Sequence, residues 1–292
     1  MRHAILIMAH HNFDQLDRLC RLFQDDRFRV YLHVDARVGM PDDAVRRLFS
    51  RHNVTTVESR EVCWGGYSQV DCEMRLITAA VKDGGYDRLH LLSGDDLPIK
   101  SLDEIDSFFE GLPPFEYLAI KESGTASEVT REVRERIDLF WPQQEVDGRS
   151  QSIRTRMGTV LQRLVPPHRI ASQGIRVIGK GANWFSITGE FAEFVVANGK
   201  WVEDAMRQTR CADEVFLQTL ALNSSFAGRI APFNSDDNLM ALRLIDWKRG
   251  GPYTWRLPDL GEILSSGALF ARKFDMAADP ELFDAICRRV RA

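Results

Sequence analysis

Short apolar runs alternate with amphipathic stretches through about the first hundred residues of the chain. Ala4 to Ala9 (AILIMA) is wholly apolar and stops at His10-His11-Asn12. Asn12 or Asp14 can then cap a helix whose apolar positions Leu16, Leu19, Cys20, Leu22 and Phe23 follow helical spacing. Val30 to Val34 predicts a second strand, ended by Asp35, and Asp42 or Asp43 starts a short helix through Phe49. Val54 to Val57 predicts a third strand, Trp64-Gly65-Gly66 a turn, and Ser68 to Val81 a helix. Arg88 to Leu92 is a buried-strand pattern that stops at Ser93-Gly94 and leaves Asp95 and Asp96 at its carboxyl end. Strand and helix in this alternation predict an α/β fold: a mostly parallel sheet with helices on both faces.

The second half is less regular. Asp103 to Phe109, Ser127 to Phe140, Ser152 to Leu164, Gly189 to Ala197, Cys211 to Leu222, Leu257 to Leu264 and Pro280 to Val290 read as helices. Phe115 to Ile120, Trp184 to Ile187, Leu242 to Ile245 and Phe270 to Phe274 read as extended segments, and Pro252 to Trp255 as a loop. The stretch Trp141 to Ser150, with Pro and Gln, is the best candidate for a mobile loop.

Composition narrows the function classes. A chain of 292 residues, 44% hydrophobic and 27% charged, fits one large α/β domain or two modest ones. A net charge of -4 gives no basic field for nucleic acid, and the cationic density from Arg149 to Arg169 reads first as a solvated face. Five cysteines without a C-x-x-C speak against a disulfide framework or a zinc site and fit a reducing cytosol. No run approaches the ~20 apolar residues that span a bilayer, and no signal peptide is expected, so a membrane role would be peripheral.

His10, Asp35 and the Asp95-Asp96 pair each end a predicted strand. Parallel strands would bring them to one edge, where ligands of open α/β sheets bind. That edge could hold a ribose and base, or a metal. The alternative for Asp95 and Asp96 is a polar turn that caps the helix after Pro98. G-x-G-x-x-G after the first strand, a P-loop and H-E-x-x-H are all missing. Asp213 and Glu214 at a predicted helix start are either dipole complements or, for one of them, a general base. Arg256, Arg272 and Lys273 are either solvated charges or a grip for a diphosphate.

Taken together, AILIMAHHNFDQLDRL, YLHVD, CWGGYSQVDCEMRLI, YDRLHLLSGDDLPI, GANWFSI, CADEVFLQTL and LFARKFD resemble, in order, the core-2/I-branching β-1,6-N-acetylglucosaminyltransferase family, which also holds peptide O-xylosyltransferases. The resemblance implies a GT-A type fold: a Rossmann-like nucleotide-binding half over about residues 1–120, and an acceptor half with a closing tail over about 121–292, in one catalytic domain. It implies an inverting transferase that takes a sugar such as GlcNAc, Xyl or Glc from a UDP-sugar without a divalent ion or other cofactor. Glu214 matches the family's general base. His10, Asp35, Arg256 and Lys273 match the donor side. Trp64, Gly65, Asp95, Asp96, Trp184 and Asp213 fall where acceptor or donor sugar would bind. Rivals are a metal-dependent transferase built on Asp95 and Asp96, and a nucleotide-sugar-binding protein without turnover. The animal members carry a membrane anchor and disulfides. Their absence here leads us to expect a cytoplasmic bacterial enzyme, peripheral to the membrane at most, acting on a glycan, a glycolipid or a small glycoside.

Overall fold

The structure, a computed structural model, describes residues 1–39, 44, 48, 50–141, 160–164 and 169–291. The expected helix from Asp42 or Asp43 to Phe49, the Trp141 to Ser150 stretch and the start of the Ser152 to Leu164 helix fall largely outside the described residues; residues 160–164 are helical.

Four strands are parallel neighbours: β1 (His3–Ala9), β2 (Phe28–Val34), β3 (Val54–Thr56) and β4 (Arg88–Ser93). Two more join them from the second half, β6 (Tyr117–Leu118) and β9 (Phe185–Thr188), giving the order β3-β2-β1-β4-β9-β6. Strand β9 runs antiparallel to β4, with Arg88 opposite Thr188. The period of two decides what each face covers. Ile5 and Ile7 of β1 point into one core with Leu16, Leu19 and Phe23, while Ala4 and Leu6 point into the other with Val70, Leu76 and Ile77. Helices α1 (Phe13–Leu22), α3 (Leu102–Phe109) and α11 (Pro280–Arg291) cover the first face. Helices α2 (Tyr67–Asp83) and α6 (Gly189–Ala197) cover the second. The α/β architecture with helices on both faces is therefore as expected.

The remaining elements differ more. Between β4 and α3 lies an unexpected short strand, β5 (Leu97–Pro98). It pairs with β11 (Phe270–Arg272), which pairs with β10 (Arg243–Ile245), so that a three-stranded sheet ties the tail to the end of β4. The cap of α3 is Ser101, whose side chain accepts from Glu104 N while Glu104 returns a bond to Ser101 N. Asp95 and Asp96 do not cap it, which removes the capping half of that reading, whereas the polar turn is present: Asp96 N donates to Ser93 O at 3.2 Å. The charged segment Ser127 to Phe140 is helical only as α4 (Arg131–Asp138): Thr130 caps it and Leu139 is already extended. The unexpected strands β7 (Glu122–Gly124) and β8 (Ile178–Lys180) form an antiparallel pair beside it, far apart in the chain. The expected continuous helix Cys211 to Leu222 is broken. Ala212–Glu214 is a 3₁₀ turn, and α8 (Phe216–Leu222) begins after Val215. The cause is visible in the backbone. Cys211 sits at φ 47. The Glu214 carbonyl accepts from Gly181 N at 3.0 Å instead of opening a helical ladder.

Candidate active site

The carboxyl ends of the parallel strands meet at one edge. Asp35 N donates to Ala9 O at 2.9 Å and Gly94 N to Met8 O at 3.1 Å, so the segments leaving β1, β2 and β4 lie side by side. His10 is exposed there, its ring centroid 4.3 Å from that of His11. Burial and the neighbouring His11 lower the His10 pKa. Asp35 is buried and forked by Arg37, with contacts of 2.8 to 3.3 Å. Burial alone would raise its pKa, but the Arg37 bonds prevail and hold it below the usual carboxylate range.

Asp95 and Asp96 are both buried, and their partners differ. Asp95 meets His11 Nε2 at 3.1 Å and Lys273 Nζ at 3.2 Å. Asp96 accepts from Ser93 N at 2.7 Å and Ser93 Oγ at 2.9 Å, with Arg272 Nε at 3.6 Å. Burial raises the Asp96 pKa in spite of Arg272. The Arg272 guanidinium lies 4.6 Å from the centroid of the nearly buried Trp184 ring. Strand alternation would send Arg272 away from the side that Lys273 takes. It does not, because β11 ends at Arg272 and the alternation stops there. Both cations reach the Asp pair. Phe274 N donates to Asp95 O at 2.9 Å, which holds the closing tail against this turn. Arg256 is not brought into the cluster: its guanidinium donates to the Ala278 carbonyl and its backbone N–H to Asp259.

A second cluster surrounds Glu214. Arg136 Nη1 donates to its carboxylate at 2.6 Å, and Lys180 Nζ is 3.6 Å away. The side chain keeps 35% exposure, so a ligand can reach it. Asp213 is turned inward. Its carboxylate accepts from Gln69 at 3.2 Å, and burial, then the charge of Glu214, pushes its pKa up to about 7. Glu73 lies beside it, fully buried, and its carboxyl oxygens make no hydrogen bond among the described residues. Burial, then Asp213, pushes the Glu73 pKa well above normal. Asp213 is thus an interior group that exchanges its proton near pH 7. The Trp64-Gly65-Gly66 turn abuts this cluster: Cys211 N donates to Gly65 O at 3.0 Å. Gly65 has φ +73, and a Cβ there would sit 3.3 Å from Cys211 Sγ. Trp64 is 67% exposed.

Four residues join the clusters. Gly181 N donates to Glu214 O, Ala182 O accepts from Gln218 at 2.9 Å, and Trp184 meets Arg272. Three extended residue steps span at most about 11 Å, so the backbone of Trp184 lies within about that distance of Gly181, which bonds the Glu214 turn. Arg136, Lys180 and Glu73 escaped the reading of the sequence, whereas Arg272 was read as one of three candidate cations for a diphosphate. A cation is legible by type, but its partner depends on contacts between segments distant in sequence, as Arg136 is from Glu214. Among the described residues, no group of three or more His, Cys, Asp or Glu could hold a metal ion. None of the five cysteines forms a disulfide, and all are buried. No helix among the described residues is long and apolar enough to cross a membrane.

The model of the Core-2/I-Branching enzyme family matches residues 4–262. The N-acetyllactosaminide beta-1,6-N-acetylglucosaminyl-transferase of Mus musculus is 25% identical over 307 residues, covering 99% of this chain and 72% of that protein. Xylosyltransferase 2 of Canis lupus familiaris is 24% identical over 310 residues, covering 98% of this chain and 33% of that protein, and the Homo sapiens protein gives the same figures. The chain thus spans about a third of the xylosyltransferases it matches. A solved structure, the apo form of the glycosyltransferase GlyE of Streptococcus pneumoniae TIGR4, covers 41% of this chain and 29% of its own at 15% identity and a TM-score of 0.25, too slight a likeness to carry an argument.

Proposed function

This chain is a glycosyltransferase of the core-2/I-branching enzyme family, and from that premise we propose that it transfers GlcNAc or Xyl from a UDP-sugar by a single, inverting, metal-independent displacement on a GT-A type fold. The nucleoside would lie over His10 and Asp35 at the strand ends, in the half of the chain up to about residue 120, with the acceptor in the half after it. An acceptor hydroxyl attacks the anomeric carbon, a new C–O bond forms as the bond to the diphosphate oxygen breaks, and UDP leaves with the electron pair. Glu214 takes the hydroxyl proton. The observation that carries this reading is Glu214 itself: a half-exposed carboxylate fixed by Arg136, next to the Gly181–Trp184 segment that leads to the strand-end edge.

The leaving diphosphate needs positive charge, and preorganised cations act most where charge develops. Lys273 is the candidate, held at 3.2 Å from Asp95. Arg272 joins it as a second one, and Arg256 ranks below both because its guanidinium is engaged with Ala278. The metal-dependent alternative is weakened by Asp96, whose two oxygens are already held by Ser93. Glu214→Gln tests the base. It should retain UDP affinity and lower kcat by about two to four decades; near-normal turnover would end the assignment, and a wild-type chain that binds UDP without turnover would point instead to a binding protein.

A further inference from the structure

A cavity of about 380 Å³ opens beside Arg136, walled by Arg131, Glu132, Glu135, Arg163 and Arg210 with Trp141. Four guanidinium groups face two carboxylates there. The carboxylates are spent within the wall: Glu135 on Arg131 and Arg163, at 2.6 and 2.7 Å, and Glu132 on Arg136 at 3.0 Å. Arg210 is exposed and has no carboxylate partner among the described residues. Its guanidinium lies 5.4 Å from the Trp141 ring centroid, and its backbone N–H donates to Arg136 O at 3.1 Å. Trp141 is itself anchored, its indole N–H donating to Glu135 O at 3.0 Å. Such a cavity has the size of a small-ligand site. It offers a planar cation, backed by the buried Trp141 ring, that grips a carboxylate or phosphate with two bonds.

From these contacts we infer that the cavity is an acceptor subsite for a sugar bearing a negative charge. The inference rests on Glu214 being the base, because Arg136 is shared: one nitrogen holds Glu214 and the other holds Glu132 in the cavity wall. An acceptor anchored by its acidic group on Arg210 would present a neighbouring hydroxyl to Glu214. The charge serves placement and takes no part in bond making.

Ligand-observed NMR titration of the full chain tests this with four probes: methyl β-D-glucuronide, glucose 6-phosphate, methyl β-D-glucoside and inorganic phosphate. Either acidic sugar should bind at least about tenfold more tightly than the neutral glucoside and inorganic phosphate, and the stronger of the two identifies the charged group. Arg210→Ala should remove that preference, since a charge-assisted bond accounts for about tenfold or more, and Arg210→Lys should restore part of it. Arg210 is a surface residue, and an unchanged melting temperature shows that the variant folds. Equal binding of acidic and neutral sugars overturns the inference, as do inorganic phosphate binding as tightly as the sugar phosphate and an acidic preference that survives Arg210→Ala. Glu214→Gln should bind the probes as the wild type does. Turnover that survives Glu214→Gln removes the base assignment and leaves the binding result standing by itself.

Discussion

At the scale of single residues, Lys273 and Arg272 make different demands on the same turn. Lys273 is half-buried and ends on Asp95, which leaves further ammonium donors for a diphosphate oxygen. Lys273→Ala should weaken UDP ten- to a hundredfold in calorimetry, the range of one lost charge-assisted bond of roughly 1.5–3 kcal/mol. Arg272→Ala should not be mild either. It uncovers Trp184 and leaves buried Asp96 with only the charge of Arg243, so a loss of about 1–3 kcal/mol in chemical denaturation is expected. Asp213 gives a pH signature. Its folded pKa, about 7, lies above that of an unfolded aspartate, so between about pH 4 and 7 the folded chain holds a proton that the unfolded chain has released. Stability from this group is therefore present at low pH and lost as pH rises to about 7. The stability of Asp213→Asn relative to wild type should grow with pH across that window and level off above it; a difference independent of pH would mean that Asp213 is charged throughout. The acids were legible as residue types in the sequence. Their division into an accessible Glu214 and an interior Asp213 was not, because it depends on the 3₁₀ turn.

At the scale of elements, the crossing of Gly181 over Ala119 and Glu214 holds the base in place. A Cβ on Gly181 would lie 1.7 Å from Ala119 O, and that backbone cannot yield without moving Leu118 in β6. Gly181→Ala should cost several kcal/mol or leave no soluble folded protein, whereas Gly267→Ala, with nothing near its Cβ, should be close to neutral. Thermal melts of the two compare them directly. Helices with strong apolar spacing, such as α2 and α6, were read within a residue or two of their ends, because a buried stripe is local information. Among the strands of two or three residues, β3, β6, β10 and β11 lie in segments read as extended, but β5, β7 and β8 were missed. So short a segment carries no period, and its extended form comes from a partner far along the chain.

At the scale of the whole molecule, the parallel core follows from alternation in the first hundred or so residues, and the strand-end edge follows from the core. What alternation cannot reveal is β9 entering antiparallel beside β4, or the tail returning through β11 to close on Asp95. Both are long-range pairings, and together they bring Trp184, Arg272 and Lys273 to an edge that the first half only begins. The account then makes one claim above the others: charge on this chain, with Lys273 foremost, takes the place of a metal ion against the leaving diphosphate. UDP release from UDP-GlcNAc and UDP-Xyl, followed with the purified chain in excess chelator, tests it most directly. The account predicts release from at least one donor at an undiminished rate in chelator, slowed by Lys273→Ala. Activity lost in chelator and restored by Mn²⁺, with Lys273→Ala close to wild type, would contradict it.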